Sequence, residues 1–293
     1  MLVGAAGGLL AAVLPALAGE EQAEPPASLD NRLGVTTGSF LRHLSREAKP
    51  GKMRLLDLPG IMRDELDLQV IDLMTATLPS LEAQYLDDFR SRAEKAGCTI
   101  TNLKMNQKGL DMASPDTPTR TRALDDYKRT IDAAARLGCR WVRPLPGDKE
   151  PDLPRYAASY RELIEYAAPK GITLLIENNG WIRDRPEAIP RVIRAVGDGL
   201  AACPDTGNWT DAARYDGLAK AFPLAVTCDF KAYMLEENGG HPAYDLRRCF
   251  QTGWDAGFRG PWCFEHFNDS LAGLLQGLVS LRDRLRQWTR ENG

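Results

Sequence analysis

The sequence contains little histidine and no closely spaced cysteine pair. Its 293 residues include 3 histidines, namely His43, His241 and His266. A cluster of metal ions held by several imidazoles is therefore not expected. The 6 cysteines form no Cys-x-x-Cys pair, and their spacing defines no disulfide pattern, so we expect mostly free thiols.

A strong basic charge and a glycine-rich dinucleotide motif are also missing. The formal net charge is -3, so no overall positive field favours nucleic acid or an anionic membrane as a partner. No Gly-x-Gly-x-x-Gly sequence follows an early strand, which argues against a dinucleotide-binding sheet. Hydrophobic residues make up 43% and charged residues 26%, which is typical of a globular protein with a full core.

The N-terminus predicts an export signal followed by a linker. Residues 2–18 are apolar and end in Ala16-Leu17-Ala18, a small-x-small cleavage pattern, although no Lys or Arg follows Met1. The run is short for a membrane span, so we expect no stable membrane partner. We assign the signal to residues 1–18, an acidic linker to 19–31 and the folded domain to 32–293. The protein is then periplasmic or extracellular; without a functional signal it is cytoplasmic.

After residue 31, short apolar runs alternate with longer helical patterns. Eight runs predict strands, at residues 33–37, 68–73, 99–105, 140–144, 173–177, 199–205, 225–230 and 261–265. Six segments have the spacing and ends of helices, at residues 81–96, 119–137, 156–168, 185–196, 245–256 and 271–288. Such alternation indicates a parallel sheet. Eight strands favour an α/β protein with a single (β/α)8 TIM barrel over an open doubly wound sheet.

Carboxylates end four successive predicted strands. They are Glu177, Asp205, Asp229 and Glu265. In a (β/α)8 barrel the C-terminal ends of the strands form the active site, so these groups are expected to meet. Each one alone is also explained as a helix cap or an arginine partner. Four together repel one another, and we expect one divalent cation among them, with Mn, Mg or Ca favoured over Zn because all the ligands are oxygens.

Four short segments resemble the sugar phosphate isomerase/epimerase family, which has a xylose isomerase-like barrel. They are Ile-Glu-Asn-Asn-Gly at 176–180, Asp-Thr-Gly-Asn at 205–208, Asp-Phe-Lys at 229–231 and Gly-Phe-Arg-Gly-Pro-Trp-Cys-Phe-Glu at 257–265. The resemblance spans roughly residues 32–290. It implies one metal bound by Glu, Asp, His and Glu from strands five to eight. Glu177, Asp205 and Glu265 match, whereas Asp229 stands where the family usually has His.

The resemblance also implies an activity. It is proton transfer next to a ketose carbonyl through an enediolate, with Glu177 and Glu265 as the two catalytic carboxylates, in a sugar isomerase or epimerase. The expected partner is a small-molecule sugar or keto-sugar; the sequence leaves the oligomeric state open. Six other residues are candidates for substrate binding at the same end of the barrel: Lys104, Arg143, Asn179, Trp181, Asn208 and Lys231. Trp181 is the candidate for stacking on a sugar face.

Several alternatives remain. A lyase or hydrolase acting on 3-keto-sugars or glycosides would use the same site, and a non-catalytic carbohydrate-binding barrel is favoured by Asp229. A metal-dependent apurinic-site endonuclease is disfavoured, because it needs several histidines and binds DNA. Lys231 is equally explained by a salt bridge to Asp229, the carboxylate that stands where the family has His. Asp72 is equally explained by an ion pair with Lys104. Strand alternation points His266 away from the barrel axis.

Overall fold

The computed structural model describes Leu29, residues 31–47 and residues 49–292. The predicted export signal and most of the predicted linker lie outside this part of the chain. Eight parallel strands pair in the order β6-β5-β4-β3-β2-β1-β8-β7. They are β1 Leu33–Thr36, β2 Val70–Met74, β3 Thr99–Met105, β4 Trp141–Pro144, β5 Thr173–Ile176, β6 Leu200–Ala202, β7 Cys228–Ala232 and β8 Trp262–His266. Parallel bridges from Ala202 to Ala225 and from Asp205 to Asp229 join β6 to β7. The chain is thus a single-domain (β/α)8 TIM barrel, as predicted.

In the part of the chain that the structure describes, eight α-helices surround the strands. They are α1 Leu58–Asp64, α2 Ala83–Lys95, α3 Thr117–Leu137, α4 Leu153–Ala167, α5 Ala188–Val196, α6 Arg214–Ala221, α7 Leu246–Asp255 and α8 Leu271–Asn292. The side chains of Asp116, Asp152 and Asp245 cap α3, α4 and α7 by accepting a backbone N–H three residues later. Among the described residues, no helix combines the length and the apolar character needed to cross a membrane.

A few predicted boundaries were wrong for local reasons. Helix α5 begins at Ala188 rather than at Arg185, because a residue that precedes proline, here Pro186, avoids the helical conformation. Strand β6 ends at Ala202 rather than at Asp205, since Pro204 has no N–H for a sheet. Helix α6 was not predicted; it has 8 residues and contains Gly217, so its helical pattern is short.

The apolar core lies outside the barrel wall, and the barrel interior is polar. Outward-facing residues of neighbouring strands are fully buried against the helices, among them Val35, Ile71, Leu103, Val142, Phe230 and Phe264. The alternate residues point inward, and there the interior holds Asp72, Asn102, Lys104, Arg143 and Asp229, none more than 2% exposed. Most TIM barrels fill this space with Val, Ile and Leu. Here the same space carries charge.

Gly34 is the point of closest approach between β1 and β2. A Cβ atom at this position would lie 2.1 Å from the carbonyl oxygen of Val70. We predict that Gly34→Ala lowers the free energy of unfolding by about 1–3 kcal/mol, because backbone must move to relieve the clash. Urea denaturation measures the change. The control is Gly60→Ala in α1, where a Cβ meets nothing within 4 Å and alanine favours the helix. Equal stability of the two variants would contradict this account.

Candidate active site

Five carboxylates and three basic side chains meet inside the C-terminal half of the barrel. The acids are Asp72, Glu177, Asp205, Asp229 and Glu265, and the bases that pair with them are Lys104, Arg143 and Lys231. Oxygens of Glu177, Asp205 and Asp229 all lie within 4.8 Å of one another, and all three residues are buried. The structure therefore brings together three of the four strand-end acids. Glu265, the fourth, lies against Lys231 and has a side chain 14% exposed.

Lys104 connects its own strand, β3, to three others, β1, β2 and β7. Its Nζ lies 2.5 Å from Asp229 Oδ1 and 3.5 Å from Asp72 Oδ2, and it donates a hydrogen bond to Thr36 Oγ1 at 3.0 Å. Burial alone would lower the pKa of Lys104, but Asp229 and Asp72 hold it well above its usual value. Burial also raises the pKa of both carboxyls, more than Lys104 lowers it. The ammonium thus stays charged and holds two acids at once.

Glu177 has its own basic partner. Arg143 Nε lies 2.7 Å from Glu177 Oε2, and the Asn208 amide donates to Glu177 Oε1 at 2.8 Å. Burial acts to raise the pKa of Glu177, but Arg143, Lys104 and Lys231 together outweigh burial and lower it. Glu177 is consequently a carboxylate at neutral pH, as a proton acceptor must be.

Lys231 lies between the remaining two acids. Its Nζ is 2.8 Å from Asp205 Oδ2 and 3.1 Å from Glu265 Oε2, and it donates a hydrogen bond to Asn208 Oδ1 at 2.8 Å. Asp205 Oδ1 accepts two backbone N–H bonds, from Gly207 at 2.7 Å and from Asn208 at 2.9 Å. Burial raises the pKa of Glu265 and Lys231 offsets this only in part, so the two predicted catalytic carboxyls have pKa values shifted in opposite directions.

The bases compensate the acids incompletely. Among the described residues these five carboxylates pair with three bases, which leaves two negative charges if all groups are ionised. The sequence predicted a divalent cation among the crowded acids; the structure adds that Lys104, Arg143 and Lys231 lie among them and supply part of the compensation. A buried excess of two negative charges is nevertheless unfavourable.

The donor atoms fit one hard divalent cation. Glu177 Oε2 and Asp205 Oδ2 are buried and, within the described part of the chain, form ion pairs but no hydrogen bond of normal geometry. With Asp229 they offer three carboxylate oxygens in one small volume. Oxygen ligands of this kind suit Mg, Mn or Ca, and a double positive charge would balance the acids.

Two other predicted substrate-binding residues have different surroundings. Asn179 lies two residues after Glu177, is partly buried and accepts a hydrogen bond from the Gly180 N–H at 2.7 Å. Trp181 is only 5% exposed and lies beneath the guanidinium groups of Arg185 and Arg191, 5.8 and 5.7 Å from its ring. Little of its ring is open to a sugar, so we do not include Trp181 in the proposed site.

Some residues that shape the site were not predicted. Asn178 holds the ends of β5 and β6 together: its amide donates to the Asp205 carbonyl at 2.8 Å and accepts from the Asp205 N–H at 2.7 Å. Its position beside Glu177 was the available signal, since alternation points successive side chains to opposite faces of the sheet. The predicted pair of Asp72 with Lys104 is present. His266 is buried, with Nδ1 2.6 Å from the Ala232 carbonyl oxygen.

Comparison with known proteins identifies the family. The model of the xylose isomerase-like TIM barrel matches residues 64–291. The chain belongs to the xylose isomerase-like TIM barrel family. A search of curated proteins found no match.

Several solved structures share the fold of this xylose isomerase-like barrel. An L-ribulose 3-epimerase is 16% identical with a TM-score of 0.72, over 89% of this chain and 96% of that chain. A xylose isomerase-like TIM barrel protein from Mycobacterium smegmatis in complex with magnesium is 20% identical with a TM-score of 0.64, over 89% and 97%. D-psicose 3-epimerase with D-tagatose, from Clostridium cellulolyticum H10, is 14% identical with a TM-score of 0.66, over 88% and 99%.

We predict that Lys104 and Asp229 are energetically coupled. Lys104→Met leaves two buried carboxyls without their base and should lower the free energy of unfolding by about 3–5 kcal/mol. Adding Asp229→Asn should recover part of the loss, because one of those carboxyls is removed. Urea denaturation of both single variants and the double variant measures the coupling. Lys128→Met, which removes a surface partner of Glu162, is the control. Additive effects would contradict the coupling.

Proposed function

We propose that this protein is a divalent-metal-dependent sugar isomerase or epimerase that transfers a proton next to a ketose carbonyl. The observation that carries the proposal is the close approach of the buried acids Glu177, Asp205 and Asp229, within a group of five carboxylates that three bases compensate incompletely. It lies at the C-terminal ends of the strands, where the active sites of these barrels are found. The sugar epimerases among the structural neighbours support the substrate class.

Glu177, Asp205 and Asp229 would hold the cation, with Glu265 as the fourth predicted ligand. Mn, Mg or Ca is favoured over Zn because the donors are carboxylate oxygens. When bound, such a cation stabilises the negative charge that develops on oxygen when a neighbouring carbon loses a proton. The magnesium complex of the Mycobacterium smegmatis neighbour supports a hard metal here.

The chain's own residues would move the proton and hold the substrate. Glu177 is ionised and fixed by Arg143 and Asn208, so it would accept the proton. Glu265 lies on another strand and has a raised pKa, which suits a group that returns a proton from a different side. Lys231 and Asn208 would donate hydrogen bonds to hydroxyl or carbonyl oxygens of a sugar.

Two other functions remain open. Proton abstraction next to a ketone also begins an elimination, so a lyase or hydrolase for 3-keto-sugars or glycosides would use the same site. Export, which we propose from residues 1–18, would bring the protein to glycans and glycosides rather than sugar phosphates. A metal-free carbohydrate-binding barrel is supported by one observation, namely that every acid of the cluster has a basic partner.

We predict one bound divalent cation per chain and a metal-dependent exchange reaction. Metal analysis after dialysis against Mn should give about one ion per chain, since one dication balances the acids. In deuterated water the protein should exchange deuterium into a ketose or a keto-glycoside, lose this activity in EDTA and regain it with Mn. Analysis of the products distinguishes epimerisation from elimination. A protein without stoichiometric metal and without exchange would be the binding barrel.

Glu177→Gln should separate catalysis from folding. The substitution keeps the size and the hydrogen bond from Asn208 but removes the proton-accepting group, so the exchange rate should fall by at least about 10²-fold. Circular dichroism and thermal unfolding would show whether the barrel stays intact. The matched control is Glu162→Gln, a surface glutamate paired with Lys128, which should retain full exchange. Unchanged exchange in Glu177→Gln would exclude this residue as the base.

A further inference from the structure

We propose that the Lys231 ammonium and the divalent cation exchange at Asp205: Lys231 pairs with Asp205 Oδ2 in the cation-free protein and leaves it when the cation binds. Lys231 is then a positioning residue for the metal, and its movement is linked to metal binding. The inference rests on the metal site of the proposed function, but it makes a separate claim about which group the cation displaces.

Asp205 has only one oxygen left for a new ligand. Its Oδ1 accepts the N–H groups of Gly207 and Asn208 at 2.7 and 2.9 Å, and these bonds fix the turn after β6. Its Oδ2 is buried and lies 2.8 Å from Lys231 Nζ. A cation that uses Asp205 therefore approaches the oxygen that Lys231 already faces, and two positive charges cannot share that position without strong repulsion.

The contact between Lys231 and Asp205 is the one that Lys231 can give up. Its hydrogen bond of normal geometry is to Asn208 Oδ1 at 2.8 Å, and its second acid, Glu265, is 3.1 Å away. Asp205 Oδ2, in contrast, has no hydrogen bond of normal geometry within the described residues. An ammonium that leaves Asp205 still keeps Glu265 Oε2 and the Asn208 amide oxygen, so it does not become an unpaired buried charge. A cation that also uses Glu265 would then take its other carboxylate oxygen.

Lys231 also has a direction in which to move. Its Nζ lies 5.0 Å from the ring centroid of Tyr233, which is 42% exposed, and Glu265 is the most exposed of the five acids of the site. A ring face attracts a cation, so Tyr233 and Glu265 offer the displaced ammonium new partners nearer the surface.

The other two bases are held more firmly. Lys104 is 2% exposed and is fixed by Asp229, Asp72 and Thr36. Arg143 is equally buried and, within the described residues, has one acid partner, Glu177 at 2.7 Å, so a guanidinium that left Glu177 would be a buried charge without an acid partner. Of the three bases, Lys231 is the one that has both an acid contact it can give up, to Asp205, and a partly exposed neighbour, Tyr233.

Calorimetric titration of the chelator-treated full-length chain with Mn tests the exchange. Lys231→Met removes the competing charge and should bind Mn at least about tenfold more tightly than the wild type. The matched control is Lys220→Met, which removes a surface lysine that also bridges two carboxylates, Asp216 and Glu187, each at 2.7 Å. Its Mn affinity should equal that of the wild type.

Each outcome of the titration has a distinct meaning. If the wild type binds Mn and Lys231→Met binds equally or more weakly, the exchange is refuted while the metal site stands. If neither the wild type nor the variants bind Mn, both this inference and the proposed metal-dependent function are refuted. If Lys220→Met tightens binding as much as Lys231→Met does, the effect is one of overall charge, and the exchange is again refuted.

A second measurement uses the unmodified protein and does not depend on the folding of a variant. Lysine acetylation, followed by mass spectrometry, should modify Lys231 several times faster when Mg is present, because the ammonium has left Asp205 and moved toward the surface. Lys220 serves as the internal reference, with an unchanged rate. An unchanged or slower rate at Lys231 would overturn the proposal.

Discussion

The barrel depends on one electrostatic constraint, the burial of more negative than positive charge in its interior. Lys104 links β3 to acids on β2 and β7, Arg143 links β4 to the acid that follows β5, and Lys231 links β7 to acids at the ends of β6 and β8. Because unpaired buried charges are costly, these contacts hold the strands in one arrangement. The ion pairs that stabilise the barrel are therefore also the ones that position the candidate catalytic groups.

The sequence predicted the eight strands because each is a short apolar run between helical patterns, and the wall residues Ile71 and Phe230 are as buried as that pattern requires. Boundaries were less predictable where a local contact decides them. Asp152 begins α4 at Leu153 by capping Arg155 N–H, three residues before the predicted start. Such a cap depends on one side-chain rotamer, which hydrophobic periodicity does not encode.

The strand-end acids of the site could be predicted, and so could the pair of Asp72 with Lys104, but the partners of those strand-end acids could not. Glu177, Asp205, Asp229 and Glu265 each end a strand, and the C-terminal ends of parallel strands meet. The bond between Lys104 and Asp229, in contrast, joins residues 125 positions apart, across the barrel rather than along neighbouring strands. Its existence depends on which side chains are long enough to span the interior, and this follows only from the closed structure.

The pairing of Lys104 with Asp229 bears on the one predicted ligand that departs from the family pattern, Asp229 in place of histidine. The resembling family usually has a histidine at this position, a neutral ligand when it binds metal. A carboxylate adds one negative charge, but Lys104 Nζ lies 2.5 Å from it and is fixed by Asp72 and Thr36. Lys104 also pairs with Asp72, so it offsets the added charge of Asp229 in part. Asp229 is thus compatible with a hard divalent cation, whose charge would balance what Lys104 leaves uncompensated.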